Sequence, residues 1–227
     1  MNPSVPVTYA VNVIPGELAS LAGSTDKGMH DHGFVEVYER FFFQYRYKQI
    51  RILEIGIYNG DSLKLWSNYF AQASIFGIDV VPKPEVDSEQ IKTYIADQAD
   101  RAQLQRFIDT HGGDFDIIID DGGHSMQQQQ VSFGFLFPFV KPGGYYVIED
   151  LHTSIPSQHP EFSPTPETST LVMIENFVKK MPPHLQSKYM RPYEIEYIQR
   201  NIELISLNAR NRDGNGRSVT CLFQKKI

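Results

Sequence analysis

The chain has 227 residues, 41% of them hydrophobic and 21% charged, the balance of one globular α/β-sized unit with a substantial core rather than of a disordered chain. A formal net charge of -6 argues against general affinity for nucleic acid or an anionic membrane, so neither is expected as a partner. The single cysteine, Cys221, excludes an internal disulfide and a cysteine-bound zinc or iron–sulfur centre, and fits a reducing compartment.

The first residues, MNPSVPVTYAVNVIPGELASLAG, lack a basic start and a continuous apolar run, and no later segment approaches the ~20 apolar residues that cross a bilayer. A cytoplasmic protein is expected. FVEVYERFFFQYRYK, Phe34 to Lys48, carries its aromatic side chains at helical spacing and reads as a packing helix. Without a basic groove beside them, these rings are core and interface rather than a base-stacking platform. Residues 1–49 thus read as a helical extension and 50–227 as the main domain.

IRILEIG, from Ile50, is a short apolar strand ending at Gly56, and DSLKLWSNYF after Gly60 reads as a helix whose Trp66 and Tyr69 pack inward. Four more strands follow in SIFGIDV, IKTYIA, FDIIID and GYYVIED, with LQRFIDTH and SFGFLFPFV as the clearest helices between them. Strands alternating with helices favour parallel pairing with right-handed crossovers, and their unbroken apolar runs suit strands covered on both faces. The fold class is therefore α/β, doubly wound and Rossmann-like. LHTSIPSQHPEFSPTPETST then reads as a long polar loop with solvated histidines, His152 and His159. LVMIENFVKKM returns to helical spacing, and NIELISLN and SVTCLFQ flank the turn-rich RNRDGNGR as a terminal hairpin.

The chemistry gathers at strand ends. Glu54, Gly56, Tyr58 and Gly60 lie in ILEIGIYNG, where a glycine turn and a helix N-terminus allow close approach of a ligand. Tyr58 stands where a pyrophosphate-binding fingerprint wants glycine, so a nucleoside without phosphates is the better ligand. Asp79, ending the second strand, is placed to accept hydrogen bonds from ribose hydroxyls, and Asp97, after the third, to hold the base or its edge. At the end of the fourth strand stands IDDGGH, Ile119 to His124, whose buried acids need partners.

LEIGIYNG, GIDV, IADQAD, IIIDDGGH and KPGGYYVIEDLHTS together resemble class I S-adenosylmethionine-dependent methyltransferases, and more narrowly the metal-dependent macrocin and mycinamicin-type sugar O-methyltransferases. The resemblance reaches upstream to STDKGMHDHGFVEVYERFF and covers most of Ser24 to Ser154. It implies a seven-stranded, mostly parallel sheet with an antiparallel last strand, in keeping with the terminal hairpin. It implies S-adenosylmethionine and Mg2+ as cofactors, with Asp121, Glu149 and Asp150 on the metal and His124 as general base. Asp120 would support the site or the cofactor. Thr25, Asp26 and Lys27 match an upstream motif that would close over the methionine part of the cofactor. The implied acceptor is a small-molecule hydroxyl, glycosidic in these relatives, and homo-oligomerisation is left open.

A neutral hydroxyl is a poor nucleophile; a divalent cation lowers its pKa and fixes its direction, and an imidazole can take its proton. Carboxylates are hard ligands suited to magnesium. Two other readings compete: an NAD-dependent oxidoreductase on the same sheet, which the missing fingerprint glycines disfavour, and a non-catalytic cofactor-binding protein, which the intact set of acids disfavours.

Overall fold

A computed structural model describes residues 16–162, 165–182, 187–212 and 216–227. The expectations for residues 1–15 and for the tip of the terminal hairpin, 213–215, lie outside the described residues.

Seven strands form one sheet in the order β3-β2-β1-β4-β5-β7-β6. They are β1 Arg51–Ile55, β2 Ser74–Asp79, β3 Ile91–Ile95, β4 Phe115–Asp120, β5 Val140–Ile148, β6 Ile202–Arg212 and β7 Gly216–Lys225. The first five pair in parallel. β7 inserts between β5 and β6 and runs antiparallel to both, so the mixed sheet implied by the resemblance is the sheet observed.

The apolar runs earn their place by alternation: Ile117 and Ile119 of β4 join one buried cluster and Ile118 the other. On the first face pack α1 Glu17–Leu21, α2 Phe34–Phe42 and α3 Asp61–Tyr69, through Leu18, Tyr38, Phe42, Trp66 and Tyr69. On the second lie α4 Arg101–His111, α5 Met126–Leu136, α6 Thr170–Val178 and α7 Pro192–Asn201. Both faces are thus covered, as continuous apolar strands require. Cys221 of β7, paired with Ile148 of β5, is fully buried in this second cluster, and burial pushes its thiol far above the usual range.

Two stretches differ from the sequence reading. The helix expected over SFGFLFPFV begins six residues earlier, at Met126, behind a capping box in which Ser125 and Gln128 exchange hydrogen bonds. Its glutamines hid it: Gln129 and Gln130 are buried because their amides donate to the carbonyls of Glu149 and Thr168 at 3.0 and 2.7 Å. The helix α7 was masked by its charge; Glu194, 2% exposed, is buried because Arg101 clamps both of its oxygens at 2.7 Å. Among the described residues no helix is long and apolar enough to cross a membrane.

Candidate active site

The C-terminal ends of β1 to β5 open into a cleft of about 640 Å³, the place where open parallel sheets bind ligands. Ladder bonds run one residue beyond the strands and fix its rim: Gly56 N–H donates to Ile78, Ala96 to Asp79, Asp121 to Ile55 and Glu149 to Asp120, at 2.9 to 3.0 Å.

On one side of the cleft stand Asp79 and Asp97. Asp79 accepts from the N–H groups of Ile57 and Val81, each at 2.9 Å, and Asp97 from that of Ala99 at 2.8 Å. Peptide donors hold both carboxylates in place while leaving lone pairs for hydroxyls. Tyr58 sits at the mouth, 84% exposed and at φ 46°. Gly56 is required for a reason the sequence did not supply. Its φ is 86°, and a Cβ there would stand 2.1 Å from the carbonyl oxygen of Asp121. The glycine lets β1 and β4 close against each other. Gly60, at φ 79°, makes room for Val86 rather than for a ligand.

On the other side stand Asp121, His124 and Asp150. They can present ligand atoms that all lie within 4.8 Å of one another. His124 Nε2 is 3.4 Å from Asp150 Oδ2. His124 and Asp150 both adopt left-handed backbone conformations, φ 57° and 52°, a strain that structures tolerate where side-chain aim matters. His124 is then held by the capped start of α5. Asp150 Oδ1 is buried and has no hydrogen-bond partner among the described residues, with His152 Nδ1 3.7 Å and His32 Nδ1 3.8 Å away. An orphaned carboxylate oxygen between a second carboxylate and imidazoles fits a divalent cation in its donor chemistry. Burial raises the Asp121 pKa, opposed by the Lys27 ammonium and reinforced by Asp150.

The remaining candidates lie behind the wall. Glu149 is 1% exposed and absent from the cleft lining; it accepts from Tyr38 Oη at 2.6 Å and Lys27 Nζ at 2.9 Å. Lys27, expected over the cofactor, is instead fully buried beneath the acids, while Thr25 and Asp26 reach the cleft. Glu54 is buried against Trp66 Nε1 at 2.8 Å; burial lifts its pKa to about 7. Asp120 faces Gln98 at 2.9 Å and Ser132, and burial lifts it to about 6. Gln98 went unread in the sequence: it lines the cleft and accepts from Gly123 N–H at 2.8 Å, so Asp120 acts on the DDGGH turn through it. Nor is His152 a solvated loop histidine; its ring stacks on His32, and burial lowers its pKa.

Over 149 residues, 62% of this chain and 38% of the relative, the chain is 44% identical to an 8-demethyl-8-(2-methoxy-alpha-L-rhamnosyl)-tetracenomycin-C 3'-O-methyltransferase of Streptomyces olivaceus. It is 42% and 41% identical over 130 residues to a mycinamicin VI 2''-O-methyltransferase of Micromonospora griseorubida and a demethylmacrocin O-methyltransferase of Streptomyces fradiae. Identity to L-olivosyl-oleandolide 3-O-methyltransferase of Streptomyces antibioticus is 33% over 205 residues, 86% of this chain and 52% of that protein. The chain thus spans from about a third to a half of the length of the curated relatives it matches. Among solved structures, the MycE methyltransferase of mycinamycin biosynthesis, in complex with Mg, SAH and mycinamycin VI, superposes with a TM-score of 0.71 at 30% identity. That match covers 92% of this chain and 54% of MycE. A scan against models of known protein families finds no match.

Proposed function

We propose that this chain transfers the methyl group of S-adenosylmethionine to a hydroxyl of a sugar on a glycosylated natural product, with Mg2+ at the site. The observation that carries the proposal is the convergence of Asp121, His124 and Asp150 on a cleft whose opposite side holds Asp79 and Asp97. The names of the relatives support the acceptor class.

When bound, the cofactor supplies an electrophilic methyl group and the ion polarises the acceptor hydroxyl. The rest is the chain's own work. Asp79 would accept hydrogen bonds from the ribose, Asp97 would hold the edge of the base, and the turn from Gly56 to Gly60 would shape the adenosine side, with Thr25 closing over the methionine portion. Asp121 and Asp150 would hold the ion from the cleft wall, with Glu149, tied to Lys27 and Tyr38, behind them. His124 takes the hydroxyl proton, and Asp150, 3.4 Å away, stabilises the imidazolium that results. The main demand on the protein would be to hold acceptor and cofactor in position.

Mass spectrometry of products from isotopically labelled S-adenosylmethionine and a panel of rhamnosyl and deoxysugar glycosides tests the reading. Methyl incorporation that a chelator stops, that magnesium restores, and that Asp121→Ala loses irrecoverably is the expected result. Full turnover after verified removal of metal rejects the ion, and cofactor binding without transfer to any glycoside rejects the reaction. His124→Ala should cut turnover roughly 10²- to 10⁴-fold, the range for a lost general base. Its Mn2+ affinity, measured alongside, separates a base from a ligand: only loss of a ligand weakens it.

A further inference from the structure

Lys27 is 0% exposed and reaches its Nζ into a space bounded by three carboxylates from three strand ends. Glu54 comes from β1, Asp121 from the end of β4 and Glu149 from the end of β5; Glu149 lies at 2.9 Å, Glu54 at 3.4 Å, and Asp121 is in direct hydrogen-bond contact. A buried ammonium is expensive unless fully paired, and a buried carboxylate likewise. Here each compensates the other. Two of the acids are also met by a donor on their other oxygen, Trp66 for Glu54 and Tyr38 for Glu149. Among the described residues Asp121 has no second side-chain donor, and it is the acid of the three that lines the cleft.

The backbone around Lys27 is built to hold it there. Its N–H donates to Thr25 Oγ1 at 3.3 Å and its carbonyl accepts from Val35 at the start of α2 at 3.2 Å. The next residue, Gly28, could not carry a Cβ, which would stand 2.5 Å from the carbonyl of Ala22.

We propose that Lys27 is the resident counter-ion of the site: a positioning residue whose ammonium holds Glu54, Asp121 and Glu149 together when no metal is present, so that Asp121 is already aimed at the cleft. One charge cannot balance three. The arrangement therefore stays short of positive charge, and a divalent cation on the cleft side of Asp121 completes it.

The test compares melting temperatures of wild type, Lys27→Met and Lys27→Met/Glu149→Gln, each in chelator without cofactor and each with Mn2+. Methionine keeps the length of the stem and removes the charge. In chelator, Lys27→Met should melt about 10 °C lower, the scale of breaking a buried ion pair in a chain of this size. The double variant, which removes one acid with the base, should regain at least half of that loss. Mn2+ should raise the melting point of Lys27→Met more than that of wild type, because the ion then supplies the missing charge. An unchanged melting point, an equal upward Mn2+ shift in both proteins, or a double variant no better than the single overturns the proposal. So does failure of both variants to fold, since charge balance would then not be the reason. The Mn2+ arm rests on the ion site proposed above; no Mn2+ shift in any of the three proteins would count against that site, while the chelator arm still decides the role of Lys27.

Discussion

Along the side of the cleft built by β2 and β3, each acid is met by the peptide N–H two residues on, Val81 for Asp79 and Ala99 for Asp97, with Ile57, 22 residues back on the turn after β1, also donating to Asp79. Along the side built by β4 and β5, Asp121 and Glu149 are met by an ammonium 94 and 122 residues back in the chain. Both sides present carboxylates at strand ends. The first needs mainly its own turns to form; the second is incomplete until the whole fold has closed. Local satisfaction suits a site for hydroxyls, which add hydrogen bonds to an already stable carboxylate, whereas shared long-range charge suits a site for a cation.

The comparison can be broken most severely where the two sides touch. Gly56→Val sets a branched side chain at φ 86° against the Asp121 carbonyl and should cost about 4 kcal/mol or more, read by urea unfolding, with cofactor affinity lost in whatever folds. A loss below about 1 kcal/mol would mean that the sides do not depend on each other.

Asp120 sharpens the comparison through pH. Burial raises its folded pKa from 3.8 to about 6, so the folded state holds a proton that the unfolded state has released. Its contribution is therefore fully present below about pH 4 and is lost as pH rises towards 6, by roughly 3 kcal/mol at most for a shift of this size. Asp120→Asn, which keeps an acceptor for Ser132, should flatten stability between pH 4 and 6. An unchanged slope would assign the titration elsewhere.

The gentlest change is Asp79→Ala. It should weaken S-adenosylmethionine about tenfold by calorimetry, one hydrogen bond to a charged group, and leave Mn2+ binding unaltered. Equal losses for cofactor and ion would erase the distinction between the two sides.

What was legible in the sequence follows the same division. The strands along the chain, the glycine turn, Asp79, Asp97 and the DDGGH and IED acids could be read because each is a local pattern: an apolar run, then a turn, then an acid. Gln129, Gln130 and Glu194 could not be read as buried, because their partners come from distant segments and polarity alone suggests a surface. The capping box of Ser125 and Gln128 was a readable signal, outweighed by the polar run around it. The position of Lys27 carried no local signal at all: nothing within TDKG says that a lysine will end among three acids.

Cys221 carries a practical consequence. It is the sole thiol of the chain, fully buried in β7 beside the strand that leads into Glu149 and Asp150, and its proton is held tightly. An alkylating reagent therefore meets no reactive sulfur until the middle of the sheet opens. The rate of labelling of unmodified protein is a clock for that opening, and its slowing on addition of cofactor or ion would time how firmly each one locks the strand behind the active site.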